Sequence, residues 1–132
     1  TCTHNGIQTK NVLLLSDFQN NQFIKSLNKL LEICKSILKS NISFHYVHFV
    51  EYFADGYQSI HNHKNHEDFS LILYLNTCES GETFFESGNT YLPIKNNIVL
   101  FSSYHNHGAN HINALDNKKV LVCGFRRTLN YE

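Results

Sequence analysis

The residues of this chain best suited to chemistry are its histidines. Nine of the 132 residues are His, and six of these fall between His61 and His111. Imidazole is the commonest metal-ligand side chain and the natural proton carrier near neutral pH. His61-Asn62-His63 closes a β-branched and aromatic stretch, and residues i and i+2 of a strand project to one face. Two imidazoles on one face begin an octahedral iron site or a zinc site. His105-Asn106-His107-Gly108, with His111 beyond, follows a second apolar run that ends in small polar residues (IVLFSS). A distant third imidazole would complete a facial set of three ligands and leave three positions for substrates. Taken singly, His61 and His63 read more readily as exposed paired histidines on a strand, and the second cluster as a His-rich loop. It is the two together, each at a strand end, that point to a metal. His4 has no supporting context. His45 and His48 are expected on opposite faces of one strand, as packed or surface residues.

Two further features bear on ligands. Lys118-Lys119 opens the run KKVLVCGFRR. A cation leading an apolar strand either points into a barrel mouth, where it can hold a carboxylate, or stands in a basic surface turn. Tyr74 lies inside the apolar run LILYLN and reads as a core aromatic with its hydroxyl at the rim. The four cysteines (Cys2, Cys34, Cys78, Cys123) contain no C-x-x-C and make no zinc-finger grid. Cys34 on a helical apolar stripe and Cys123 within a strand are expected as buried, reduced thiols, which fits a cytoplasmic protein.

These residues need a frame. With 132 residues the chain is expected to form one domain over 1–132. Asn11 to Ser16 (NVLLLS) reads as a short strand, with Asp17 as the N-cap of a following helix. Phe23, Leu27, Leu30, Leu31, Cys34 and Leu38 form one apolar stripe, which predicts a helix over about 18–39. Lys25, Lys29, Lys35 and Lys39 form its solvated face. After Asn41 the helical period stops, and strand-like runs follow over 43–54, 58–63, 69–76, 82–86, 90–92, 98–102 and 119–126. Turn signals separate them, including Asp55-Gly56, Glu79-Ser80-Gly81, Ser87-Gly88-Asn89 and Asn96-Asn97. One long helix before a β core at about 43–128 predicts a mainly β sandwich or jelly roll, whose open mouth can hold a metal.

Composition narrows the partners. Eleven basic residues balance eleven acidic ones, and the pI is near 7.1. Such a chain has no field to gather nucleic acid or anionic membrane, so a nucleic-acid partner is disfavoured. No run approaches the roughly 18 apolar residues of a membrane helix. No basic start followed by an apolar stretch marks a signal peptide, although the chain contains no Met. The many Asn, Lys and Ile fit the coding bias of an AT-rich genome.

Taken in order, the segment from Glu51 to Arg126 resembles the iron(II)- and 2-oxoglutarate-dependent dioxygenases. The likeness is to the prolyl-4-hydroxylase-like branch and its small phage and viral relatives. The matching runs are EYFADGYQSIHNH, FSLILYLNTCESGETFF, YLPIKNNIVLFSSYHNHG and KKVLVCGFRR, about 75 residues in the family's order and spacing. The resemblance implies a double-stranded β-helix (jelly roll) with one long N-terminal supporting helix. It implies an enzyme that uses Fe(II), 2-oxoglutarate and O2 to hydroxylate an unactivated C–H, and a peptidyl, prolyl-like substrate. It assigns His61 as the first metal ligand, His63 as the second and His107 as the distal one. Lys119 is the counterpart of the basic residue that binds the far carboxylate of 2-oxoglutarate. Lys118, one residue away, and Tyr74 are the further candidates for that carboxylate, and Phe125 falls at an aromatic position on the same strand.

The departure is at His63, where most members carry Asp. His66 and Asp68 also spell H-x-D, but only five residues separate Asp68 from Tyr74, whereas ten follow His63, which suits a hairpin. Glu67 and Asp68 stay open as carboxylate ligands swinging in from the turn. Two other readings remain: a cupin-like three-His dioxygenase without 2-oxoglutarate, and a non-catalytic jelly-roll module that binds no iron.

Overall fold

The computed structural model describes residues 2–14 and 21–128. Its elements are β1 (Thr3–Gln8), a short 3-10 turn (Val12–Leu14), α1 (Asn21–Leu38), β2 (Ile42–His61), β3 (Phe69–Tyr74), β4 (Thr83–Phe85), β5 (Thr90–Tyr91), β6 (Ile98–Ser102), β7 (His107–Ala109) and β8 (Lys118–Arg127). The chain is mainly β, as expected. Its strands form one curled antiparallel sheet in the order β5-β4-β7-β2-β8-β3-β6, with β1 added to β2.

The curl follows from β2, which runs for 20 residues. Its first half pairs with β8 and its last residues with β7, so one strand belongs to both walls. The Asp55-Gly56 signal, expected to end a strand, instead bends it. Asp55 takes a left-handed backbone (φ 63°). Gly56 runs so close to its neighbours that a Cβ there would stand 2.6 Å from the Asn5 carbonyl oxygen and 2.7 Å from that of Phe53. Backbone bonds from Asp55 N to Ile112 O (2.8 Å) and from Ile112 N to Gly56 O (3.1 Å) hold the bend.

Strand alternation gives the sheet two apolar faces. On the outer face, Val47, Leu71, Leu121, Cys123 and Phe125 pack with Leu27 and Cys34 of α1. The stripe expected from spacing is the one that is buried, and Lys25, Lys29 and Lys39 are exposed. Lys39 (φ 50°) ends the helix in the left-handed conformation common at such ends. The inner face carries Val50, Tyr52, Tyr74, Val120 and Ile112, with Ile72, Val99 and Val122 against them.

Three expectations are corrected. Val12–Leu14 forms a 3-10 turn and not a strand, while the sheet gains β1 from a segment with no clear strand pattern. The segment from His107 is strand β7 and not a loop, because its backbone pairs with both β2 and β4. The runs at 43–54 and 58–63 are one strand. Asp17 and the expected first helical residues, 18–20, lie outside the described residues. No helix among the described residues is long and apolar enough to cross a membrane.

Candidate metal centre

β2 and β7 build the centre by register. His61 and His107 are direct partners across the two strands, so their side chains leave the sheet on one face. His63 follows two residues after His61, and its backbone N–H donates to Ser103 O at 2.9 Å. The three imidazoles converge, with one ligand nitrogen from each within 4.8 Å of the others. Residues 46 apart in sequence thus share one site.

Hydrogen bonds select which nitrogens are free. His61 Nδ1 lies 2.7 Å from Ser59 O, and His107 Nδ1 lies 3.1 Å from His105 O. A carbonyl only accepts, so these Nδ1 atoms carry the proton and leave Nε2 as a lone pair. His61 Nε2 and His63 Nε2 are 3.0 Å apart. Two ligand nitrogens at a right angle around a metal, each at about 2.1 Å, are separated by roughly 3.0 Å, so the pair fits adjacent positions of one ion.

Burial keeps these rings neutral. Desolvation lowers His61, against the bond that its ring donates to the Ser59 carbonyl. It lowers His63 to about 3, helped by His61 and His107, and His107 to about 4, against the His105 carbonyl. Neutral imidazoles are the form that binds a metal. The donor set therefore fits a divalent ion of the iron or zinc type.

Glu67, left open as a ligand, stands behind His63. It is 5% exposed. Its Oε2 accepts from Tyr46 Oη (2.9 Å) and Ser70 Oγ (2.6 Å). Its Oε1 lies 3.8 Å from His63 Nδ1, on the side of the ring away from His61. Burial raises Glu67 to about 7, opposed by the two hydroxyl donors. A cation beyond His63 would favour the ionised form. Asp68 is remote in role: its Oδ2 accepts the Arg127 backbone N–H at 2.8 Å. His66 stands at the cavity wall, and its carbonyl accepts from Arg126 Nε.

The two lysines fall on opposite faces. Lys118 pairs with Tyr52 and Lys119 with Glu51, so Lys118 points inward and Lys119 outward. Lys119 is exposed beside a shallow groove with Ile7, Thr9 and Leu75. Lys118 is 2% exposed. Its Nζ donates to Gly81 O at 2.8 Å and lies 4.9 Å from the centre of the Tyr52 ring. Burial lowers it to about 8. Tyr74, 1% exposed, shares a 2.6 Å bond with Thr83 Oγ1. Thr83 pairs with Ala109, and Phe85 with His107, so the Tyr74–Thr83 pair sits one strand step, about 7 Å, below the His107 layer. Phe125 belongs to the outer core, against Phe44 at 5.1 Å between ring centres.

A cavity of about 270 Å³ opens beside the centre. His63, His107 and Phe101 line one end, and Tyr46, His48, Ser70, Ile72 and Val122 the inner wall. His45 and His48 both line it, against expectation. Two residues of β2 face one of β8 between Phe44 and Tyr46, so a bulge at His45 breaks the alternation. His105 and His111 are exposed, and His111 stacks on Tyr57 at 4.2 Å, away from the three ligands. Sequence reasoning missed Ser70 and Tyr46, whose spacing from His63 carries no local signal.

The sequence matches no protein-family model and no curated protein. The fold is shared with solved 2-oxoglutarate–Fe(II) oxygenases and prolyl hydroxylases. An oxidoreductase of the 2OG-Fe(II) oxygenase family from Burkholderia pseudomallei has TM-score 0.71 and 14% identity, over 81% of this chain and 57% of that one. The chain thus spans little more than half the length of that protein. The viral collagen prolyl hydroxylase of Paramecium Bursaria Chlorella virus-1, solved with 2-oxoglutarate, has TM-score 0.75 and 17% identity, over 96% of this chain and 81% of that one. HygX from Streptomyces hygroscopicus, with nickel and 2-oxoglutarate bound, has TM-score 0.74 and 9% identity, over 98% and 73%.

Proposed function

We propose that this chain is a non-haem Fe(II)- and 2-oxoglutarate-dependent dioxygenase that hydroxylates a peptidyl, prolyl-like substrate. The observation that carries the reading is the convergence of His61, His63 and His107 beside a cavity on the inner face of a curled sheet. The fold's likeness to 2-oxoglutarate-binding oxygenases supports it. We read the chain as one functional unit. The free cysteines, three of them buried, fit a reducing compartment.

Iron(II), when bound, supplies the redox chemistry that couples O2 and 2-oxoglutarate to C–H hydroxylation. The chain's residues bind and orient. His61 and His107 keep Nε2 unprotonated through their carbonyl partners. Lys118 is the residue for the far carboxylate of 2-oxoglutarate, in place of Lys119. Among the described residues no acidic side chain is in salt-bridge contact with its buried ammonium, Glu82 acting on it only from further off, and a buried charge of this kind favours an anionic ligand. The Tyr74 hydroxyl, which shares a bond with Thr83 Oγ1, is a further candidate donor. Phe85 and Phe101, packed on the His107 ring at 5.9 and 4.6 Å, exclude water from that side of the centre.

One observation favours a second reading. All three ligands are neutral imidazoles, a set that also serves cupin-like dioxygenases that do not use 2-oxoglutarate. The test is conversion of 2-oxoglutarate to succinate by Fe(II)-loaded protein with proline-containing peptides, read with the mass of the peptide. The proposal expects succinate and a peptide heavier by one oxygen. Oxygen uptake with no need for 2-oxoglutarate would contradict it and favour the second reading.

A further inference from the structure

We propose that Glu67 is the positioning residue of the metal centre: it receives the Nδ1 proton of His63, turns Nε2 of that ring to the metal and supplies the counter-charge. This rests on the metal-centre reading above. Each of the three imidazoles has an oxygen acceptor near Nδ1. For His61 and His107 it is a backbone carbonyl. For His63 it is a carboxylate, at 3.8 Å. Closing that gap to a hydrogen bond takes a shift of about 1 Å.

The carboxylate is held for this contact. Tyr46 and Ser70 both donate to Oε2 and leave Oε1 toward His63. Among the described residues, Oε1 is the fully buried side-chain oxygen or nitrogen without a hydrogen-bond partner. Buried polar atoms are almost always partnered. The Glu67 backbone is also fixed, its N–H donating to His63 O at 3.1 Å and its carbonyl accepting from Ser103 Oγ. The charge argument is independent. Three neutral ligands leave a dication's charge uncompensated in a partly buried site, and a carboxylate one ring away offsets it.

The test uses Zn(II) alone as the probe. Zn(II) affinity is measured by chelator competition for the wild type and Glu67→Gln, which keeps the shape and removes the charge. In parallel, two-bond proton–nitrogen spectra of protein labelled with 15N-histidine report the tautomer of His63. The proposal expects Glu67→Gln to bind Zn(II) about 10- to 100-fold more weakly while its metal-free melting temperature is held or raised. It expects His63 of the loaded wild type to carry its proton on Nδ1, slow to exchange with water. Equal Zn(II) affinity in wild type and variant overturns the role of Glu67 and leaves the metal centre standing. So does a His63 protonated on Nε2. The wild-type spectrum gives that answer even where the variant does not fold. A wild type that binds neither Zn(II) nor Fe(II) overturns the metal centre and this proposal together.

Discussion

Lys118 shows how one residue of parity decides which side chain reaches the inner face. Lys118, Val120 and Val122 share one face of β8, and Lys119, Leu121 and Cys123 the other. Both faces are apolar, because one meets the helix and the other the inner core. Nothing in KKVLVCGFRR says which lysine points inward. The histidines were more legible, since i and i+2 share a face whichever face it is. The account expects Lys118→Met to weaken 2-oxoglutarate binding by roughly 100-fold, the loss of one charged hydrogen bond of about 2–3 kcal/mol. Lys119→Ala should bind as the wild type does. Titration of both variants with 2-oxoglutarate checks this. The same side chains set a pH dependence. His63 and His107 are held at about 3 and 4, below their unfolded value. Their contribution to stability is present above about pH 6.5 and is lost as pH falls toward 3. Glu67, raised to about 7, acts in the opposite sense: its contribution is complete below about pH 4.5 and is lost as pH rises to 7. Glu67→Gln removes that opposing effect, so metal-free protein should lose stability more steeply from pH 6.5 to 4.5 than the wild type does. Thermal melts across that range read the difference.

At the scale of elements, the helix was legible and the strands only in part. The stripe from Phe23 to Leu38 has one period and one buried face, and the local pattern was sufficient. β2 reads as two strands because Asp-Gly is a turn signal, yet here the pair bends a strand whose backbone partners include β1 near one end of the sequence and β8 near the other. β7 has three residues, too few for a period, and exists because β2 and β4 flank it. Local sequence does not encode such partners. The elements also predict separable effects. Leu27→Ala opens the core between α1 and the outer sheet face and should cost about 2–4 kcal/mol, with metal affinity unchanged. Gly124 of β8 lies opposite both Tyr46 and Ser70. A Cβ there would collide with the Tyr46 ring and stand 2.8 Å from Glu67 Cδ. Gly124→Ala should therefore lower both stability, by about 1–3 kcal/mol, and Zn(II) affinity. Denaturant melts and chelator competition on the two variants distinguish a core effect from a site effect.

For the molecule as a whole, the class of fold could be read from one helix followed by many short strands. The way the sheet closes could not, because it depends on a single strand serving two walls. That closure brings scattered residues together: a metal-type donor set with a cavity beside His63 and His107, and, on the same inner face, a buried ammonium and a tyrosine hydroxyl. The most direct test of this account is anaerobic titration of Fe(II)-loaded protein with 2-oxoglutarate, followed by the visible metal-to-ligand charge-transfer band, with His107→Ala as control. The account predicts a band that saturates in the wild type and is lost in His107→Ala. Iron held with no band, or a band unaffected by the substitution, would contradict it.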